Sequence, residues 1–252
     1  MEARDLSYTN GRVTMAYTET PGPAVPDSRT YLLVHGIGMG RVVFAGVAEK
    51  LRGSGRVLAI DLPGFGDSPE PGSATSLEHT ADVVAQFLRD RAPGRSVLVG
   101  HSMGTQIVAE IAARWPELAE AVVMIAPTVN RRERSAARQG LRMVQDLFGE
   151  TPKVLLLGIW EYAKTSPLWY WRKLQFMLAH RIEHVCPKIG VPTLVLSGEE
   201  DRVCPPEWNA EVAAAVPESV SQLIPGRGHE AIIRSAEPVA SMILSFLGSR
   251  RL

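Results

Sequence analysis

Ser102, Asp201 and His229 are the residues of this chain whose types and settings can do chemistry together. Ser102 stands in Gly100-His101-Ser102-Met103-Gly104, Asp201 closes Gly198-Glu199-Glu200-Asp201, and His229 stands in Gly226-Arg227-Gly228-His229-Glu230. A serine hydroxyl is a poor nucleophile until a base removes its proton, and the base must be held in the right tautomer by a third group. A serine, an acid and a histidine, in that order, supply these parts. The chemistry they suit is attack on a carbonyl carbon. The five-residue pattern around Ser102 is weak alone, so its flanks decide.

Val97-Leu98-Val99 is short, β-branched and continuous, as a strand buried on both faces should be, while Ile107, Val108, Ile111 and Ala112 recur at helical spacing. Ser102 therefore sits at a strand-to-helix turn, and glycines two before and two after it let the backbone turn sharply and the helix pack close. Buried-type strands at 31–34, 57–60, 97–99, 121–125, 193–196 and 221–224 alternate with helical segments at 42–51, 77–91, 103–115, 207–216 and 238–247. That alternation predicts a parallel sheet covered by helices. Asp201 and His229 each follow a strand, so both emerge at the same carboxyl edge as Ser102. Ahead of this, 6–8 and 12–18 flank Asn10-Gly11, a pair suited to a two-residue hairpin turn, and Pro21, Gly22, Pro23 and Pro26 then break the pattern.

The rhythm fails between Asn130 and Lys188, a stretch too long for a loop. Segments 131–148 and 168–184 read as helices, separated by Gly149, Thr151-Pro152 and Ser166-Pro167. We expect a helical cap at 131–185, inserted into a core formed by 1–130 and 186–252. Trp160, Tyr162, Trp169, Tyr170 and Trp171 crowd this insertion; they pack it onto the core, and some are expected to wall an apolar substrate pocket. The apolar stretch 154–160 is expected to be buried beneath the insertion, with dipping into a membrane surface as the alternative.

At 252 residues the chain can bury one sizeable α/β core. Acidic and basic residues balance at 27 each, which argues against nucleic acid or an anionic membrane as a partner. Cys186 and Cys204, the only two cysteines, read as free thiols of a reducing compartment. The first residues lack a secretory leader and no apolar run is long enough for a membrane span, so the expectation is a soluble cytoplasmic protein.

Taken together, the chain closely resembles the α/β-hydrolase superfamily over nearly its whole length. The motifs are His35-Gly36-Ile37-Gly38 after the first parallel strand, Asp61-Leu62-Pro63-Gly64-Phe65-Gly66-Asp67-Ser68 after the second, the Ser102 turn, 198–201 with Pro205, and Gly228-His229. The resemblance implies a mostly parallel sheet of about eight strands, Ser102 as nucleophile, Asp201 as triad acid and His229 as base. It places an oxyanion hole at the backbone N–H groups of Ile37 and Met103. Glu199 and Glu200 are rival acids that the family pattern disfavours; Asn130 stands where a second known arrangement would need an acid. The resemblance makes His35 and His101 loop-bracing residues, and Asp61 and Asp67 are read as structuring their loop.

The implied activity is hydrolysis of a carboxylic ester or lactone with an apolar portion through an acyl-enzyme, without cofactor or metal. Thioester cleavage on acyl-CoA or a carrier protein, carbon-carbon bond hydrolysis, natural-product tailoring and a non-catalytic receptor are the competing readings on the same scaffold. A serine at the turn argues against the dehalogenase and epoxide-hydrolase branches, which need an aspartate there. His180 and His184 are four apart on a helix but lack a third metal ligand, so they read as structural. Arg131, Arg134, Arg138 and Arg142 fall near one helical face, which reads as solvated, with docking of an acidic carrier protein as the sharper alternative.

Overall fold

A computed structural model describes residues 2–24, 28–147 and 152–250. The expected breaks at Pro26, Gly149 and Thr151, and the end of the expected helix at Phe148, lie outside the described residues. Eight strands form one sheet: β1 (Arg4–Asn10), β2 (Val13–Thr20), β3 (Arg29–Val34), β4 (Gly55–Ile60), β5 (Ser96–His101), β6 (Ala119–Ile125), β7 (Thr193–Gly198) and β8 (Ser219–Ile224). Their spatial order is β1-β2-β4-β3-β5-β6-β7-β8. β1 and β2 pair antiparallel with each other and β2 antiparallel with β4, and every pairing from β4 to β8 is parallel.

The hairpin at the start shifts by one residue from the expected turn. Asn10 pairs with Val13, so Gly11 and Arg12 are the two loop residues and Gly11 carries the positive φ, +59°. Glycine at the first loop position suits a hairpin turn whose twist matches its strands.

The helices between the strands are α1 (Ala45–Leu51), α2 (Leu77–Arg91) and α3 (Met103–Arg114), and after the sheet's midpoint α4 (Ala136–Leu147), α5 (Pro152–Ala163), α6 (Pro167–Ala179) and α7 (Ile182–Val185). α8 (Pro206–Ala215), α9 (Ala231–Arg234) and α10 (Ala236–Ser249) complete the chain. Alternation along β5 and β6 divides the core in two. Leu98, Val122 and Met124 face α2, α3 and α8, whereas Val97, Val99, Ala121, Val123 and Ile125 face α1 and α10. With apolar residues on both faces, these central strands cannot be solvent-facing, which explains their unbroken hydrophobic runs.

All of α4 to α7 falls between β6 and β7. Polar contacts tie these helices to the loop after β4: Lys164 pairs with Asp67 (3.1 Å), the Ser166 amide donates to Glu70 (3.0 Å), and the Thr165 hydroxyl donates to the Gly64 carbonyl (3.2 Å). The apolar run at 154–160 is part of a helix, α5, and only one side of it is covered. Val154 is buried, but Leu156, Ile159 and Trp160 are exposed, against the expectation of burial. A segment that is apolar all round gives no periodicity by which to tell its inner face. Among the described residues no helix is long and apolar enough to cross a membrane, and Cys186 and Cys204 are both free and buried.

Asp61, buried after β4, anchors the loop beneath these helices. It accepts from the Asp67 amide (2.8 Å) and from both the amide and the guanidinium of Arg41, which is itself buried. Removing one partner of a buried pair leaves an uncompensated charge. Arg41→Ala is therefore expected to cost about 3–5 kcal/mol in urea unfolding; a loss under about 1 kcal/mol would show that the amides alone satisfy Asp61.

Candidate active site

β5 ends at His101 and α3 begins at Met103, leaving Ser102 alone to make the turn. Its backbone lies at φ +52°, in the left-handed region that a residue with a Cβ occupies only when its surroundings impose it. Gly100 and Gly104 are part of that imposition. A Cβ on Gly100 would overlap the Gly104 carbonyl, and one on Gly104 would overlap the Val34 carbonyl at the end of β3. The Ser102 amide donates to Ile125 at the end of β6 (2.9 Å), so the turn is held from the neighbouring strands on both sides.

At this carboxyl edge the loops after β7 and β8 bring their polar residues to the serine. His229 and Ser102 are joined through Nε2 and Oγ (3.0 Å), and His229 Nδ1 donates to Asp201 Oδ2 (3.0 Å). The Nδ1–H bond leaves Nε2 free to accept the serine proton, which is the tautomer a general base needs. The other Asp201 oxygen accepts from the amides of Val203 (2.8 Å) and Cys204 (2.7 Å), which fixes the carboxylate in place. Glu199 and Glu200 are exposed and make no contact of this kind with His229. Burial disfavours the His229 imidazolium, but the charge and hydrogen bond of Asp201, with Glu230 and Asp146 behind them, outweigh it and raise the pKa.

The other two histidines near the turn brace it. His35 donates from Nδ1 to the Gly36 carbonyl (2.7 Å) and accepts the Leu62 amide at Nε2 (2.9 Å), joining the loops after β3 and β4. His101 donates from Nε2 to the His229 carbonyl (3.0 Å), and burial, then the nearby His229, push its pKa down to about 3. Ile37, in the loop after β3, makes no backbone amide hydrogen bond among the described residues, and Met103, first in α3, has no helical acceptor for its own N–H. Neither N–H is therefore taken by a backbone acceptor among the described residues.

Ser102 opens into a cavity of about 550 Å³ whose other walls are almost wholly apolar. Ile37 and Met39 line it from the core, Met143 and Val144 from α4, Leu155 and Ile159 from α5, and Tyr170, Leu174 and Met177 from α6. Glu230 is its only charged lining residue among those described. Of the five aromatics expected here, Tyr162 and Tyr170 do line it, their rings 5.4 Å apart. Trp160 and Trp171 do not: they are 66% and 52% exposed, on the outer faces of α5 and α6. Trp169 is buried but faces elsewhere, packed over Gly64 with the Lys173 ammonium 5.8 Å from its ring. Aromatic density marks the insertion without saying which side of each helix faces the cavity.

The arginines of the insertion do not form one open helical face. Arg131 and Arg134 precede α4, and Arg131 and Arg132 clasp Glu211, Arg134 clasps Glu183 and Arg142 clasps Glu133. Among the described residues, Glu78, Glu110 and His180 are grouped closely enough to hold a metal, their donor atoms within 4.8 Å. His180 already bonds Glu110 (2.9 Å), Glu110 already pairs with Arg114 (3.0 Å), and none of them lines the cavity at Ser102. His184 is not in the group.

Sequence reasoning missed Asp146. From the last turn of α4 its carboxylate accepts the His229 amide at Oδ2 (2.9 Å), and a second oxygen faces the Arg202 amide (3.4 Å). The signal was present: Gln139, Met143 and Asp146 lie on one helical stripe, and an acid stands where an apolar residue would continue it.

A profile of the alpha/beta hydrolase family matches residues 31–242, most of the chain. The chain belongs to that family. A 2-hydroxy-6-oxo-6-(2'-aminophenyl)hexa-2,4-dienoic acid hydrolase of Metapseudomonas resinovorans is 26% identical across 99% of this chain and 94% of its own. A pimeloyl-[acyl-carrier protein] methyl ester esterase of Aliivibrio salmonicida is 33% identical over 52% of this chain and 46% of its own. The structure of a thermophilic esterase from Thermogutta terrifontis superposes with a TM-score of 0.82 at 23% identity, covering 98% of each chain, a likeness of fold. The family is one of hydrolases, and these relatives do not fix a substrate.

The close approach of α3 to β3 gives a direct test of the turn. Gly104→Ala is expected to destabilise the protein by about 1–3 kcal/mol through overpacking against Val34, although alanine favours a helix by about 1 kcal/mol. An unchanged melting temperature would show that the backbone can give way there.

Proposed function

We propose that this protein is a serine hydrolase that cleaves a neutral carboxylic ester or lactone with an apolar acyl portion. The observation that carries the reading is the continuous hydrogen-bonded line from Ser102 through His229 to Asp201, ending at the floor of an apolar cavity. Ser102 Oγ attacks the carbonyl carbon while His229 Nε2 takes the proton, and the amides of Ile37 and Met103 receive the developing oxyanion. His229 then returns the proton to the leaving alcohol as the tetrahedral intermediate collapses to the acyl-enzyme. Water, deprotonated by the same nitrogen, releases the acid. Residues 131–185 serve as the cap that shields this exchange and shapes the acyl site.

The wall chemistry favours a neutral ester over the acids named for some relatives. A substrate carboxylate in this cavity would meet Glu230 and no lysine or arginine among the described lining residues. The paired arginines likewise weigh against docking of an acidic carrier protein, so we place thioester and carbon-carbon cleavage behind ester hydrolysis. Val144 and Ile159 line the cavity and are also 52% and 67% exposed, which gives the entrance an apolar rim suited to the same substrates.

A fluorophosphonate probe should label wild-type protein at Ser102 and leave Ser102→Ala unlabelled; equal labelling of the two would remove Ser102 from this role, and no labelling of the folded wild type would favour a receptor. Asp201→Asn should lower kcat by about 10⁴-fold, with the fold intact by circular dichroism. Because Asp201 raises the His229 pKa, the acid limb of kcat/KM should also move to lower pH in that variant; a limb unchanged from wild type would assign it to another group.

Gly140 and Gly158 line the cavity, and a Cβ on either would meet nothing within 4 Å. Gly140→Leu should therefore add bulk to the cavity wall, cutting kcat/KM on an octanoyl ester by about tenfold or more while sparing the acetyl ester. An equal loss on both esters would mean that the acyl chain lies elsewhere.

A further inference from the structure

We propose that Asp146 is a positioning residue for His229, and that through it occupancy of the acyl cavity is coupled to the orientation of the base. The proposal rests on the serine-hydrolase reading above. Helix α4 faces both parts of the machinery. Ala136, Gln139, Gly140, Met143 and Val144 line the cavity, and Asp146, one turn beyond Met143 and two beyond Gln139 on the same stripe, bonds the backbone of the base. Its carboxylate holds the amide of His229 (2.9 Å) and faces that of Arg202 (3.4 Å), the residue after the triad acid, so one side chain spans the two loops that carry Asp201 and His229.

The surroundings are built around this contact. A Cβ on Gly228 would come within 2.9 Å of both Asp146 oxygens, so the loop before the base is shaped to admit the carboxylate. The helix itself does not favour an acid here. A negative charge in the last turn of a helix opposes the helix dipole, and this one is buried beside Asp201. Burial first, and the Asp201 charge in addition, push the Asp146 pKa up, against the pull of His229 and the two amides. An acid kept at a position unfavourable to its own helix is the pattern expected of a functional residue.

An acyl chain seated against Met143 and Val144 presses on the helix that carries Asp146. Binding energy from a part of the substrate remote from the ester is thereby spent on placing the base, which raises kcat rather than only lowering KM. A short acyl group leaves that contact unmade.

The groups facing Asp146 and His229 set the sign of the pH effect. Asp201 and Arg202 lie on the loop after β7, Glu230 follows the base, and His101 lies at the end of β5. A polar cavity on the far side of Asp146 and Asp201 adds Glu133, Arg142, Glu199, Glu200 and Arg234. Asp146 is one of the three carboxylates that raise the His229 pKa, so its loss lowers that pKa.

The test is steady-state kinetics of the full-length protein and of Asp146→Asn and Asp146→Ala on acetyl and octanoyl p-nitrophenyl esters across pH, with melting temperatures. We expect the octanoyl-to-acetyl ratio of kcat to fall by about tenfold or more in Asp146→Ala, with KM changed far less. The acid limb should move to lower pH in both variants, and the melting temperature of Asp146→Asn, which keeps an oxygen acceptor for the buried His229 amide, should stay close to that of the wild type. An unchanged kcat ratio and limb would make Asp146 a bystander. A proportional loss on both esters together with a lower melting temperature would make it a structural residue only. Ser102 labelling separates the two claims: labelled wild type with indifferent Asp146 variants overturns this inference alone, whereas unlabelled wild type overturns the serine-hydrolase reading beneath it.

Discussion

Ser102 can hold a backbone φ of +52° only because three strands and a helix close around it. Left-handed backbone at a residue with a Cβ costs of order 1–3 kcal/mol, so the turn survives where its surroundings over-determine it. Here β3 sets how near α3 may come, β6 takes the Ser102 amide, and two glycines remove the side chains that would hold the segments apart. The same constraint lifts the hydroxyl clear of the sheet and starts a helix at Met103, whose N–H is left without a helical acceptor. In the proposed mechanism, nucleophile and one oxyanion donor thus come from one piece of strained backbone, and the order of the parallel strands decides what else can reach it.

What reaches it is a buried, mostly anionic environment around one imidazole. Asp201 is fixed by two amides, His229 by Asp201 and by the carbonyl bond to His101, and Asp146 takes the amide of His229 from outside the sheet. Each of these groups would be costly to bury alone. Together they surround the His229 ring with carboxylates, where the proposed attack would form an imidazolium, while the adjoining cavity stays nearly free of charge. The field is thus strongest at the base and weak along the acyl chain, a division suited to apolar esters.

Most of the sheet was legible because its strands are buried on both faces. The continuous β-branched runs at 97–99 and 121–125 have no other stable setting, and the glycines about Ser102 only make sense at a sharp turn. The placement of Asp201 and His229 at one edge followed from parallel topology alone. The inner side of the insertion was not legible. Trp160 and Trp171 are as apolar as Tyr170, and only tertiary packing decides that they face solvent. Asp146 escaped for a related reason: its partners are backbone amides more than fifty residues away, and amides leave no trace in a sequence pattern. The hairpin slipped by one residue because Asn10-Gly11 and Gly11-Arg12 both offer the glycine that such a turn needs.

The central claim is that the line from Asp201 to Ser102 creates a nucleophile that becomes covalently acylated. Rapid quench of the wild-type protein with an octanoyl p-nitrophenyl ester, followed by peptide mass spectrometry, tests it most directly. An octanoyl group should appear on the peptide containing Ser102 within one turnover and be lost as the acid is released. Turnover of the same ester with no acyl adduct at any time, or with the adduct on another residue, would contradict it.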